Sequence, residues 1–172
     1  FLTSGYECVF GDLMFALAFK NLDGLKGAYS DRIVLEAYAL IHEACVALTH
    51  GQYLDMSFER INLATLDDYW RMISGKTAAL LAASTQLGAL LAGTNIEMQN
   101  QFRKFGLNLG LAFQVWDDWL GIWGNEKRTG KSTRSDLVSR KKTFPIVYGL
   151  AQQGEFAKTW FSEPITEENV DR

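Results

Sequence analysis

Two adjacent carboxylates, Asp117 and Asp118, close an apolar helical pattern, and a polar loop then leads to Lys131, Asp136, Lys141 and Lys142. A carboxylate pair repels phosphate directly, but a Mg²⁺ ion held by the carboxylates accepts phosphate oxygens on its other side. Lysines then neutralise the charge that remains. The run at 113–145, FQVWDDWLGIWGNEKRTGKSTRSDLVSRKKTFP, therefore fits a metal-bridged polyanion.

Such chemistry needs a frame, and the frame reads as all-α. The only prolines are Pro145 and Pro164, so nothing earlier breaks a helix by removing an amide donor. Strand signals are missing: there is no sustained period-2 alternation and no Asn-Gly or Asp-Gly hairpin between β-branched runs. A first helix fits residues 6–20, with Leu13, Met14, Phe15, Leu17 and Ala18 on a wide apolar face. Residues 21–29, with Gly24 and Gly27, form a turn. Ser30 is placed to cap a second helix, whose Ile33, Ala37, Leu40, Ile41, Ala44 and Leu48 recur at helical spacing and which extends towards Met56. On it, Gln52 and Asp55 share a face.

Thr65 opens a long third helix with Asp67 and Asp68 in its first turn, where the helix dipole favours anions. Its small residues between Ala78 and Ala92 allow neighbouring helices to approach closely. Lys76 is a lone cation there, which either snorkels to solvent or points into a polar cavity. A fourth helix spans 96–123. Phe102, Phe105, Leu109, Phe113, Trp116 and Leu120 advance by three or four and predict a core stripe. Asp117 lies on or beside that stripe and Asp118 about 100° further round, a placement that asks for a cation because a buried unpaired carboxylate is costly. Residues 124–140 read as a loop, and a last helix begins around Pro145, which suits a first turn. Residues 155–172 carry little pattern.

The 172 residues suit one domain with a real core, and the net charge of −3 gives no footprint for nucleic acid. The two cysteines, Cys8 and Cys45, have no metal-ligand spacing and are expected to be buried thiols in a reducing compartment. The most apolar run, 77–93, is interrupted by Ser84, Thr85 and Gln86 and reads as a core helix rather than a membrane span.

Six segments together resemble the trans-isoprenyl diphosphate synthases of the polyprenyl synthetase family: GDLMFALAF (11–19), GQYLDM (51–56), GKTAALL (75–81), FQVWDDWLGIWG (113–124), TGK (129–131) and SDLVSRKKTFP (135–145). The resemblance implies an isoprenoid-synthase-like helical bundle around a central cavity. There an allylic diphosphate ionises with the help of Mg²⁺ and condenses with isopentenyl diphosphate. By matching motif, Asp117 and Asp118 look like the second aspartate-rich motif, which helps hold Mg²⁺. Lys76, Lys131 and Lys141 look like the lysines on the allylic diphosphate, Thr77 and Gln114 like the polar residues beside the reacting carbons, and Phe113 like a ring near the isopentenyl group. Gln52 and Asp55 match a face lining the same cavity. His42 and His50 are expected to be structural. A short-chain product, a cytoplasmic homodimer and no transmembrane segment also follow from the resemblance.

Two departures stand against it. The family's first aspartate-rich motif and its following arginines precede the segment matched by Gly11 and Asp12, so the chain is expected to be an incomplete part of a longer prenyltransferase domain. A non-catalytic homologue or regulatory subunit is the alternative. A DDxxD pattern would also place an acid at position 121, where Gly121 stands, leaving Asn125 and Asp136 as possible outer oxygens. A class I terpene cyclase would share metal-triggered ionisation but has no need of lysines at 76, 131 and 141. A di-iron bundle would want paired Glu-x-x-His motifs, and neither His42 nor His50 has Glu three residues before it.

Overall fold

The computed structural model describes residues 2–125, 135–162 and 165–166, with side chains from Val9 onward, Ser135 excepted. All of its regular elements are helices: α1 (Leu2–Asp23), α2 (Asp31–Phe58), α3 (Leu66–Ile73), a π-helical turn (Ser74–Ala78), α4 (Ala79–Leu91), α5 (Ile96–Trp123), α6 (Ser135–Val138), α7 (Phe144–Ala151) and α8 (Glu155–Ser162). Among the described residues the one β-type contact is an isolated bridge between Lys26 and Tyr29 in the turn after α1.

The helix boundaries have local causes. Thr65 and Asp68 form a capping box at α3: the Thr65 hydroxyl accepts from the Asp68 amide at 3.1 Å, and the Asp68 carboxylate accepts from the Thr65 amide at 3.1 Å. Asp68 thus does the capping that its first-turn position suggests, and its bonds to Thr65 hold its carboxyl below the usual range. Asn95 caps α5 by accepting from the Met98 amide at 2.9 Å. Ser30 does stand at the N-cap of α2, but its hydroxyl makes no capping bond. Past α4, Gly93 takes a left-handed φ of 72°, and the Thr94 amide returns to the Ala89 carbonyl at 3.2 Å, closing the helix.

The long third helix forms, with one change the sequence pattern did not show: five residues at its centre take a π turn. That turn sits where α2 crosses. A Cβ added to Gly51 would lie 2.1 Å from the Lys76 amide nitrogen, and one added to Gly75 would lie 2.6 Å from the Ala47 carbonyl oxygen, so the two backbones touch. On the other side α4 runs along α5, and a Cβ on Gly110 would come within 2.5 Å of Ala78 Cα. The Thr85 hydroxyl crosses the same seam to the Phe102 carbonyl at 2.7 Å. The small residues of α4 therefore serve close approach, as their sequence suggested. Ala82, Ala83, Gln86, Ala89 and Leu90 are buried, as a core helix requires.

The stripe on α5 is a correction. Phe102, Phe105, Leu109, Phe113 and Trp116 are exposed, while the residues α5 buries are Gln99, Gly106, Gly110 and Asp118. Towards α4 and the π turn the helix packs through Gly106 and Gly110, and its Leu111 and Val115 lie against the α3 core. The apolar residues of α1 behave similarly, with Leu13, Met14 and Leu17 exposed and Leu22 buried. One described helix, α2, is long and apolar enough to cross a membrane, a signature shared by core helices.

The residues that pack around α3 are Phe58, Ala64, Tyr69, Met72, Ile73 and Val147. A second group, Ile146, Leu150, Ala157 and Trp160, joins α7 to α8. Helix α8 was not legible in advance, because eight residues with two buried anchors are too few to show a period. Cys45 is only partly buried, where full burial was expected, and Cys8 lies among the residues whose side chains are not described. His42 packs edge-on against Phe19 at 5.4 Å, a structural contact.

Candidate active site

Four elements converge on Asp118. Its buried carboxylate accepts from the Tyr69 hydroxyl of α3 at 2.7 Å, from the Phe144 amide at the start of α7 at 2.9 Å, and from Gln114 Nε2, one turn back on α5, at 2.9 Å. Gln114 Oε1 in turn accepts from the Thr77 hydroxyl of the π turn at 2.6 Å. The result is one chain of hydrogen bonds, Thr77 to Gln114 to Asp118, with Tyr69 and Phe144 at its end. Gln114 is fixed in orientation, because its carbonyl faces a hydroxyl and its amide faces a carboxylate. Burial raises the Asp118 carboxyl above its usual range, and the bonds from Tyr69, Phe144 and Gln114, with the charge of Lys141, oppose that rise. Burial beside Asp118 likewise pushes the Tyr69 phenol far up, so Tyr69 remains a donor.

This geometry separates the two aspartates. Both are expected metal ligands; in this structure both Asp118 oxygens accept hydrogen bonds from protein donors, which tie α3, α5 and α7 together. Asp117 lies about 100° round the helix from it, is partly exposed, and keeps its place as the outward carboxylate of the pair.

Lys76 turns inward to an ion pair. Its ammonium pairs with Asp55 of α2, and the two side chains are 24% and 13% exposed. The partner was visible in the sequence only as a residue sharing a face with Gln52. The π turn explains the meeting: backbone contact through Gly51 and Gly75 brings α2 close enough for a lysine on one element to reach an aspartate one turn further along the other. Thr77, the next residue, faces Gln114 instead. Adjacent residues of one turn thus serve two different neighbours, as π turns at functional sites commonly allow.

Gly121 has a specific neighbour. A Cβ at this position would lie 2.7 Å from Asp136 Oδ2, so the side chain missing from α5 leaves room for a carboxylate delivered by α6. Residues four apart on a helix hold their Cβ atoms about 5–6 Å from each other, which puts the Asp136 carboxylate about one turn beyond Asp117. The sequence suggested Asp136 as an outer oxygen; that Gly121 makes its space could not be read from spacing. Lys141 is partly buried, and its charge acts on Asp118. Phe113 stands on the exposed face of α5, and Gln52 is exposed near the Lys76–Asp55 pair. Lys131 falls outside the described residues. Tyr69 and the Phe144 amide were missed, since a single tyrosine after Asp68 carries no signal of a partner forty-nine residues away.

A family model described as polyprenyl synthetase matches residues 7–171. The chain belongs to the polyprenyl synthetase family. Over 144 residues it is 43% identical to a (2E,6E)-farnesyl diphosphate synthase of Mycobacterium bovis, an alignment covering 84% of this chain and 39% of that protein. Its fold matches a polyprenyl synthetase from Streptomyces coelicolor with a TM-score of 0.79 and 34% identity, over 94% of this chain and 48% of the other. It also matches a geranyltransferase from Helicobacter pylori complexed with magnesium and isoprenyl diphosphate, with a TM-score of 0.70 and 28% identity, over 88% and 50% of the two chains. The chain spans half or less of the length of each of these relatives. For this family the helical bundle of the sequence reading, free of strands among the described residues, is the fold observed.

Proposed function

We propose that this chain carries part of the active site of a short-chain isoprenyl diphosphate synthase, an enzyme that joins an allylic diphosphate to isopentenyl diphosphate and yields a product such as farnesyl or geranylgeranyl diphosphate. The observation that supports this reading best is the gathering of Lys76, Thr77, Gln114 and Asp118 around the α2, π-turn and α5 crossing, with Lys141 acting on Asp118. Simple bundle stability has no use for a lysine–aspartate pair and a threonine–glutamine–aspartate chain at one crossing.

The residues present suit Mg²⁺. It takes hard oxygen ligands, and such sites commonly use one or two carboxylates together with substrate phosphates and water. Asp117 would hold the ion, with Asp136 in the space beside Gly121 as the second oxygen source. When bound, the ion supplies positive charge against the diphosphate as the allylic C–O bond breaks.

The chain's own residues supply the rest. Lys76, Lys131 and Lys141 bind the diphosphate and offset the charge that develops on its bridging oxygen as that oxygen takes the bonding pair. Asp55 holds the Lys76 ammonium in one direction while two of its three N–H groups remain available. Thr77 and Gln114 present oxygen dipoles, fixed by their mutual bond, beside the allylic carbon, and Phe113 borders the isopentenyl group. The π electrons of isopentenyl diphosphate form the new C–C bond, and the proton then lost from the adduct passes to the departing diphosphate. We further propose that the protein works as a cytoplasmic homodimer.

The test is the full-length gene product assayed with Mg²⁺, an allylic diphosphate and labelled isopentenyl diphosphate. Elongated product, abolished by EDTA and reduced roughly 10²–10³-fold by Lys76→Gln, is expected. Full-length protein that makes no elongated product with any C5 to C15 allylic diphosphate would sink the proposal and leave the regulatory-subunit alternative.

A further inference from the structure

Arg140 has a left-handed backbone, φ 55°, a conformation that glycine adopts without penalty and an arginine does not. That conformation closes α6, the Arg140 amide meeting the Leu137 carbonyl at 3.1 Å and the Lys141 amide the Asp136 carbonyl at 3.0 Å. The guanidinium lies 4.7 Å over the Trp160 ring of α8, and its Nη2 donates to the Trp160 carbonyl, yet its Nε is buried with no acceptor. Two residues on, Lys142 is only 6% exposed. Its ammonium donates to the Arg140 carbonyl at 3.0 Å, and no carboxylate among the described residues pairs with it. Burial, then the neighbouring charge of Arg140, push the Lys142 ammonium down. A buried cation beside a half-buried one is costly without an anion.

Both line a cavity of about 100 Å³, together with Glu59, Arg60, Asn62 and Trp160. Three of these side chains are cationic and one is anionic. At about 30 Å³ for each water-sized group, the space is enough for a single phosphate-sized ion. Lys141, between Arg140 and Lys142, acts instead on Asp118.

We infer that the cavity formed by the loop at 59–62, Arg140, Lys142 and α8 binds a small tetrahedral oxyanion, inorganic phosphate or one end of inorganic diphosphate. The ion would neutralise the paired cations, give Arg140 Nε an acceptor, and fix the segment that carries Lys141. This inference does not rest on the proposed reaction.

The test is thermal unfolding and calorimetric titration of the purified protein with inorganic phosphate and, separately, inorganic diphosphate, at constant ionic strength with EDTA present. Phosphate should bind saturably and raise the unfolding temperature where chloride does not. Lys142→Met should weaken binding at least about tenfold, since it removes a charge-assisted bond in a buried setting. Arg60→Gln, at the exposed rim, should weaken it about threefold. Should Lys142→Met fail to fold, Arg140→Gly, which suits the left-handed backbone, carries the same expectation. Tighter binding of phosphate than diphosphate identifies the single ion as the ligand; the reverse identifies the diphosphate end. The idea is overturned if phosphate acts no better than chloride, or if Lys76→Gln removes binding while Lys142→Met leaves it intact.

Discussion

Helix α5 has two faces that contradict the usual distribution of residue types. One face carries Phe102, Phe105, Leu109, Phe113 and Trp116 and is exposed; the other carries Gln99, Gly106, Gly110 and Asp118 and is buried. Glycines at 106 and 110 let α5 meet α4 and the π turn with main chain against main chain, and the hydrogen bonds of Asp118 hold the arrangement. The comparison teaches that the polar face is the organising one, and it can be broken at several strengths.

The largest effect is expected for Asp118→Ala, which strands three donors in the interior and should cost roughly 3–5 kcal/mol, read from urea unfolding. A loss below 1 kcal/mol would mean that the clamp is not what orders this face. Tyr69→Phe removes one of the three donors and should cost about 1.5–3 kcal/mol. Gly110→Ala should cost about 1–3 kcal/mol through overpacking against Ala78, although alanine is the better helix former by about 1 kcal/mol; a neutral result would show that α4 and α5 can separate freely. Phe105→Ser, on the opposite face of this chain, should change stability by no more than about 0.5 kcal/mol.

The pH dependence sharpens the same contrast. Burial holds the Asp118 carboxyl above its ordinary pKa, so between the ordinary and the folded pKa the native state holds the proton more tightly than the unfolded chain. Stability from this group is therefore complete below the ordinary pKa and is lost as pH rises through the folded one. Asp118→Asn should remove that downward slope when stability is followed from pH 3 upwards, and Tyr69→Phe, by deleting a bond that favours the carboxylate, should extend the slope to higher pH.

Much of the framework was legible in advance, and for stated reasons. Thr65 with Asp68 and the small residues of α4 act through local or repetitive patterns, so they survive the step from sequence to structure. Lys76 and Asp55, and Thr77 and Gln114, were each visible as polar residues on apolar helices, but not as pairs, because pairing depends on how helices cross. The difference between Asp117 and Asp118 was hidden on the same ground: adjacent acids look equivalent in one dimension, and only packing shows that one of them faces Tyr69 and the Phe144 amide. The α5 stripe misled because periodicity reports which residues share a face and not which face is covered.

The π turn at Ser74–Ala78 has one more consequence. An α-helix advances 100° per residue, so the extra residue accommodated there sets the rotational phase of all that follows on the same rod. Deleting one residue to restore a plain α-helix would leave α3 seated by its cap and turn Ala78, Ala82 and Thr85 about 100° away from Gly106 and Gly110. The alignment of α4 with α5, and with it the reach of Thr77 to Gln114, is thus set by the length of the chain between Ile73 and Ala79 as much as by its composition. Single-residue insertions or deletions in that interval should be far less tolerated than substitutions at the same positions.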